Sequence, residues 1–184
     1  MPQVGVKPLQ RCPILAVEQI IIPCHEVGGQ GVDIFLVGDR HVEQAAAGQE
    51  TADLIDWYCD RMEANDGFDR VLPDDPLLGF RSHNRTVLRP YGVWAVIAPF
   101  NFPFALAGGP LGPALIAGNT AVFKCSPETS LSGWLLLECL RDAGLPPGVI
   151  NFVSGGDDTG HALVQHPRVA GITFTGSHAV GMQI

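Results

Sequence analysis

Residues 92–103, Gly-Val-Trp-Ala-Val-Ile-Ala-Pro-Phe-Asn-Phe-Pro, constrain the fold more than any other stretch of the chain. A continuous apolar run containing Val93, Val96 and Ile97 stops at Pro99. That is how a buried parallel strand reads, whereas a half-exposed strand alternates. Pro99 and Pro103 fix the backbone on either side of Asn101. In an open α/β sheet, ligands bind beyond the carboxyl ends of the strands. An amide presented there can donate hydrogen bonds to a developing oxyanion. The other reading of Asn101 is a structural one, the asparagine of a capped strand-to-helix turn.

Beyond Arg85 the pattern alternates. Strand 92–98 leads into a Gly- and Ala-rich helix near 104–117, and Gly118-Asn119-Thr120 turns into a strand over Ala121–Cys125. Ser126 is an N-cap residue, with Pro127 at the first helical position and Glu128 in the first turn. That helix runs through Leu135, Leu136, Cys139 and Leu140 to Gly144 as the residue past its end. A strand over Val149–Val153, a helix over about 158–166, a strand over Val169–Phe174 and a last helix opened by Ser177 follow. This alternation predicts an α/β fold: a parallel, Rossmann-like sheet with flanking helices, built from right-handed βαβ units. Upstream, Val42, Ala45, Ala46, Ala52, Ile55, Tyr58 and Met62 recur at helical spacing, and Asn65-Asp66-Gly67 stops the helix. Residues 66–84, rich in Asp, Pro and Gly, read as a connecting loop. Residues 1–40 show no clear period, and Gly28-Gly29-Gln30-Gly31 separates two apolar pieces there.

Composition removes several classes of partner. Eleven Lys and Arg against 19 Asp and Glu give a net charge of −8, with the basic residues scattered. No nucleic-acid partner is expected, because a phosphate backbone needs a clustered cationic surface. An anionic ligand must therefore be held by helix N-termini, backbone amides and single lysines. The five cysteines (Cys12, Cys24, Cys59, Cys125, Cys139) lack CxxC spacing, which points to a reducing, cytoplasmic setting. Ile14–Cys24 is broken by Glu18 and Gln19 and ended by Pro23, so neither a membrane span nor a signal-peptide core is expected. The six histidines have no metal-ligand spacing, and no metal is expected. Cys59 and Cys139 sit in helical patterns as small core residues, and nothing near Cys125 in sequence lowers its pKa.

Three strand-to-helix junctions carry candidate chemistry. Lys124 ends its strand just before a helix N-terminus, where a fixed ammonium beside free N–H groups suits an anion or a ribose. The alternative is a lysine that snorkels to the surface. Gly155-Gly156-Asp157-Asp158-Thr159-Gly160 follows the next strand but lacks GxGxxG spacing. Phe174-Thr175-Gly176-Ser177 repeats the arrangement, with a glycine for close approach and a serine N-cap able to face a phosphate. All three junctions are expected on one edge of the sheet.

Four segments together resemble the aldehyde dehydrogenase superfamily: Arg89–Pro103, Ala117–Lys124, Ala143–Phe152 and Ile172–Ser177, in matching order over about residues 51–184. The helix end at Met62–Phe68 is most similar to the pyrroline-5-carboxylate (glutamate semialdehyde) dehydrogenase branch. The resemblance implies an incomplete cofactor-binding domain: residues 41–184 as a partial NAD(P)-binding domain after a separate 1–40 segment. It implies NAD or NADP as cofactor, a small aldehyde as substrate, no membrane partner and a homo-oligomeric full-length protein. By the same likeness, Asn101 helps form the oxyanion hole, Lys124 binds the adenosine ribose, and Gly176 and Ser177 face the pyrophosphate. Ala98, Pro99, Phe100 and Ser126 line the dinucleotide cleft, as does Gly156 from the loop after the third strand. Family enzymes form a thiohemiacetal on a cysteine, pass hydride to nicotinamide, and hydrolyse the thioester with a glutamate as base.

Three departures qualify that likeness. Pro127 stands three residues after the lysine, where many members carry a glutamate that shares ribose binding. The loop 154–160 is one residue shorter than common forms. The family's catalytic cysteine and glutamate match nothing before Ile184, so this chain alone is expected to be inactive towards aldehydes. The alternative to a dehydrogenase fragment is a non-catalytic dinucleotide-binding module or an inactive remnant. Poor covering of the last strand is also expected to leave the isolated chain marginally stable.

Overall fold

The computed structural model describes residues 40–184, so the segment expected over residues 1–40, with its glycine turn, Cys12 and Cys24, lies outside the described residues save Arg40. In chain order the elements are α1 (Arg40–Ala64), β1 (Asp69–Val71), β2 (Arg85–Val87), β3 (Val93–Ile97), α2 (Ala105–Ile116), β4 (Thr120–Lys124), α3 (Ser130–Asp142), β5 (Ile150–Val153), α4 (Asp157–Val164), β6 (Val169–Phe174) and α5 (His178–Gly181). Four strands form a parallel sheet in the order β5-β4-β3-β6. The chain steps outward from β3 through β4 to β5, then returns to the far side of β3 to add β6. The alternating pattern thus reads through to the expected α/β sheet with flanking helices, with strand and helix ends shifted by a residue or two.

The apolar runs of β3 and β4 make them central because both of their faces are covered. On one face Val96, Ala98, Ala121, Phe123 and Cys125 join Ala107, Leu111 and Leu115 of α2 and Leu136, Leu137 and Leu140 of α3 in one core. Helix α1 packs on the outside of α2. Small residues set that approach: a Cβ on Gly108 would overlap Thr51 Cγ2, and one on Gly112 would lie 2.9 Å from Ile55 Cγ1. Such glycines stabilise less as helix formers but let two helices meet closely. On the opposite face α4 packs against β3 and β6. No residue of β6 is buried, in line with the poor covering expected for the last strand.

Helix ends follow their glycines. Gly118 (φ +85°) and Gly144 (φ +91°) take left-handed backbone after α2 and α3. Their N–H groups donate to Leu115 and Arg141, while the following N–H groups of Asn119 and Leu145 reach back to Ala114 and Leu140. These are paired C-terminal caps that satisfy the last carbonyls. Asn119 adds a long-range tie: its Oδ1 accepts from the N–H groups of Tyr91 (2.7 Å) and Gly92 (3.0 Å), and its Nδ2 donates to Ala114 O. The end of α2 is thereby stapled to the start of β3.

Two expectations need correction. Residues 66–84 are not wholly loop, since β1 pairs antiparallel with β2, joined by a bidentate Asp69–Arg85 ion pair. Three-residue, mostly exposed strands carry no apolar period, so local pattern could not reveal them. Ser126 has N-cap backbone and Pro127 follows at the first position, but the hydroxyl donates to the Glu128 carboxylate instead of accepting from the backbone. The first turn is a 3-10 turn over Pro127–Thr129, and the α-helix begins at Ser130.

Candidate functional site

Strand register brings the junctions to one edge. Ile97 pairs with Lys124 and with Phe174, and Lys124 pairs with Val153, so the carboxyl ends of all four strands stand level. Because the strands are parallel, every loop that follows them leaves from this rim. The backbone stitches the rim together: Ala98 N–H donates to Lys124 O (3.0 Å) and Thr175 N–H to Ile97 O (3.1 Å).

A cleft opens here beside β3, where the strand order reverses. Ile97, Lys124 and Phe174 form its floor, Gly156, Asp157, Gly160, His161 and Val164 its α4 side, and Val180, Gln183 and Ile184 its far side. Alternation along the strands explains the floor. Ile97, Lys124 and Phe174 project to the face away from the core, while their neighbours Val96, Phe123 and Thr173 project to the other.

Lys124 is the only buried charged side chain among the described residues, at 7% exposure. Its one hydrogen bond among them is a long contact from Nζ to Cys125 O (3.4 Å), and no carboxylate there lies within ion-pair distance. It is therefore not a snorkelling surface lysine. Burying an ammonium is unfavourable unless its donors are met. Gly160 faces its stem, where an added Cβ would sit 3.7 Å from Cε.

The remaining sequence candidates lie around the cleft on the same rim. Ala98 is buried, Pro99 and Ser126 are half-buried, and Phe100 and Asn101 are exposed. Asn101 makes no side-chain hydrogen bond among the described residues. It does not cap α2, whose N-cap is Phe104. Gly176 and Ser177 precede α5, where Ser177 Oγ accepts from Val180 N (3.3 Å), the N-cap expected from the sequence. The close approach at Gly176 is to the Phe174 ring, whose Cζ would lie 2.5 Å from an added Cβ. Of the nine candidates, Lys124 and Gly156 line the cleft itself.

The electrostatics separate these groups from nucleophiles. Burial pushes the Cys125 thiol up, against lesser opposing contributions from Ser130 and Lys124. Cys139 is pushed up chiefly by burial too. Neither is poised as a thiolate. The Ser126 hydroxyl holds the Glu128 carboxyl below its ordinary range. Sequence reasoning missed Asp157 and His161 as cleft residues. Their spacing of four on α4, which puts both on one helical face, was the available signal. It also missed Trp94, whose Nε1 donates to Thr173 Oγ1 (2.7 Å) across Gly171, holding the half-buried β6 in register.

Comparison with known proteins gives the arrangement a context. A family model described as the aldehyde dehydrogenase family matches residues 35–184. The chain is 54% identical over 99 residues to N-succinylglutamate 5-semialdehyde dehydrogenase of Caulobacter sp. (strain K31), covering 53% of this chain and 20% of that protein. It is 35% identical over 180 residues to 1-pyrroline-5-carboxylate dehydrogenase of Bacillus thuringiensis (strain Al Hakam), covering 97% of this chain and 34% of that protein. The fold matches the NADP-dependent glyceraldehyde-3-phosphate dehydrogenase from Bacillus halodurans C-125 complexed with NADP, with a TM-score of 0.67 and 37% identity over 75% of this chain and 29% of that one. The chain thus spans about a fifth to a third of the length of these proteins.

Proposed function

The chain belongs to the aldehyde dehydrogenase family, and from that membership we propose that it forms the nicotinamide-dinucleotide-binding part of a semialdehyde dehydrogenase. The observation that carries this reading is the buried Lys124 ammonium. It stands at the floor of a cleft on the carboxyl rim of a parallel sheet, with one long hydrogen bond among the described residues and donors to spare there. Those donors fit the hydroxyls of an adenosine ribose. Gly156 lets the backbone approach the ligand, and Gly176 and Ser177 stand where a pyrophosphate meets a lip without charged side chains. Ala98, Pro99, Phe100 and Ser126 complete the walls.

When bound, the nicotinamide accepts hydride from the substrate. This chain's share of the chemistry falls to Asn101, whose exposed amide donates to the aldehyde oxygen as negative charge grows on it. The substrate class we propose is an acidic semialdehyde of the glutamate type, supported by the names of the two relatives. Cys125 and Cys139 are buried with thiols pushed up, so neither serves as the nucleophile. By this reading the chain binds dinucleotide but does not by itself turn aldehyde over.

Titration calorimetry of the chain with NAD+ and with NADP+ tests this. At least one is expected to bind, and Lys124→Ala is expected to weaken it by about tenfold or more, the loss of a charge-assisted hydrogen bond. No heat with either nucleotide, or unchanged binding by the variant, contradicts the cofactor reading. Steady NADH production from glutamate semialdehyde by the purified chain contradicts the predicted inactivity.

A further inference from the structure

We propose that Asp157 sets the choice of dinucleotide, so that the cleft accepts an unphosphorylated ribose and turns away a 2′-phosphate, favouring NAD+ over NADP+. The inference rests on the cofactor reading above and specifies the ribose end of that site. Asp157 is the first residue of α4 and lines the same cleft as Lys124. Of the other groups there, His161 lies one turn further along α4, while the side chains of Ile97, Val164, Phe174, Val180, Gln183 and Ile184 carry no charge. One wall of the cleft therefore carries an acidic residue, and its floor carries the ammonium.

An ammonium and a carboxylate facing one gap complement a vicinal diol. One hydroxyl accepts from Nζ, and the other donates to the carboxylate. A phosphate monoester on the second hydroxyl adds about −1.5 to −2 charges beside that carboxylate and removes the donor it needs. Across the rim, Glu128 adds a second negative charge. Its carboxylate is fixed by the Ser126 hydroxyl and kept ionised by it. Pro127, between them in sequence, contributes no charge. The far lip formed by α5 and the residues after it carries no acidic side chain, which leaves the Asp157 wall to the ribose and that lip to the pyrophosphate.

The test compares 5′-AMP with 2′,5′-ADP, which differ only in the 2′-phosphate, by calorimetry on the 184-residue chain. The wild-type chain is expected to bind 5′-AMP about tenfold more tightly, a size suited to a charge pair open to solvent. Asp157→Asn is expected to narrow that ratio severalfold, mainly by strengthening 2′,5′-ADP binding. Asp157→Ser keeps a hydroxyl at the helix start and is expected to act alike, which guards against a folding defect in the first variant. Asp158→Asn removes the same net charge from a residue outside the cleft lining and is expected to leave the ratio in place. A wild-type preference for 2′,5′-ADP overturns the inference. So does a ratio unmoved by both Asp157 variants, or an equal shift from Asp158→Asn. Absence of binding by either probe overturns the cofactor reading, and this inference with it.

Discussion

On one face of the four-stranded sheet Val96, Ala121 and Phe123 have no exposure at all beneath α2 and α3. On the other, Ile97, Val122, Val153 and Phe174 stay half-buried around the charged Lys124, and α4 covers only part of them. The two sets alternate along the same strands. The pleat thus sends stability to one side and binding chemistry to the other, and a slip of one residue in register would exchange them. The comparison teaches that neighbouring positions such as Phe123 and Lys124 answer to different demands.

Substitutions can break that division, beginning on the packed side. Phe123→Ala should cost about 3–5 kcal/mol in denaturant unfolding, since a fully enclosed ring leaves a cavity between α2, α3 and the sheet. A loss under about 1 kcal/mol would mean that this face is not the core. Gly108→Ala should cost about 1–3 kcal/mol through its overlap with Thr51 Cγ2. Thr51→Ser, which removes that methyl, should recover most of the loss in the double variant, and additive effects would count against the close α1–α2 contact. On the binding side, Lys124→Met should leave the melting midpoint unchanged or raise it, because an apolar group of similar length replaces a buried charge. A clear fall would make the lysine structural.

The smallest effect belongs to the thiols. Burial favours the neutral form, and both folded pKa values lie above the ordinary 9.0. Their contribution to stability is therefore full below 9.0 and is lost as pH rises through the folded values. Cys125→Ala should flatten the alkaline limb of the stability curve slightly, and an identical limb would show that the thiol plays no part.

What the sequence made legible follows the same division. The central strands could be read because burial on both faces leaves an unbroken apolar run, and the helix ends because glycine takes left-handed backbone at Gly118 and Gly144. Lys124 stood out because a charge closes such a run. The β1–β2 hairpin was hidden, since Asp69 and Arg85 are partners 16 residues apart with no local period. Asn119 looked like a turn residue, yet its amide serves N–H groups 27 and 28 residues upstream. Asp157 passed as part of a glycine-rich turn, and its place in the cleft follows from how α4 crosses the sheet. Contacts set by tertiary packing leave no periodic trace.

The most direct test of the account is a backbone amide NMR titration of the chain with NAD+. Shifts are predicted at Ile97, Ala98, Phe100 and Asn101, at Lys124–Ser126, Gly155–Gly160 and Thr175–Ser177, with Gly118, Gly148 and Arg168 at the opposite rim unmoved. Shifts confined to that opposite rim or to the α1–α2 surface, or none at saturating nucleotide, would contradict it.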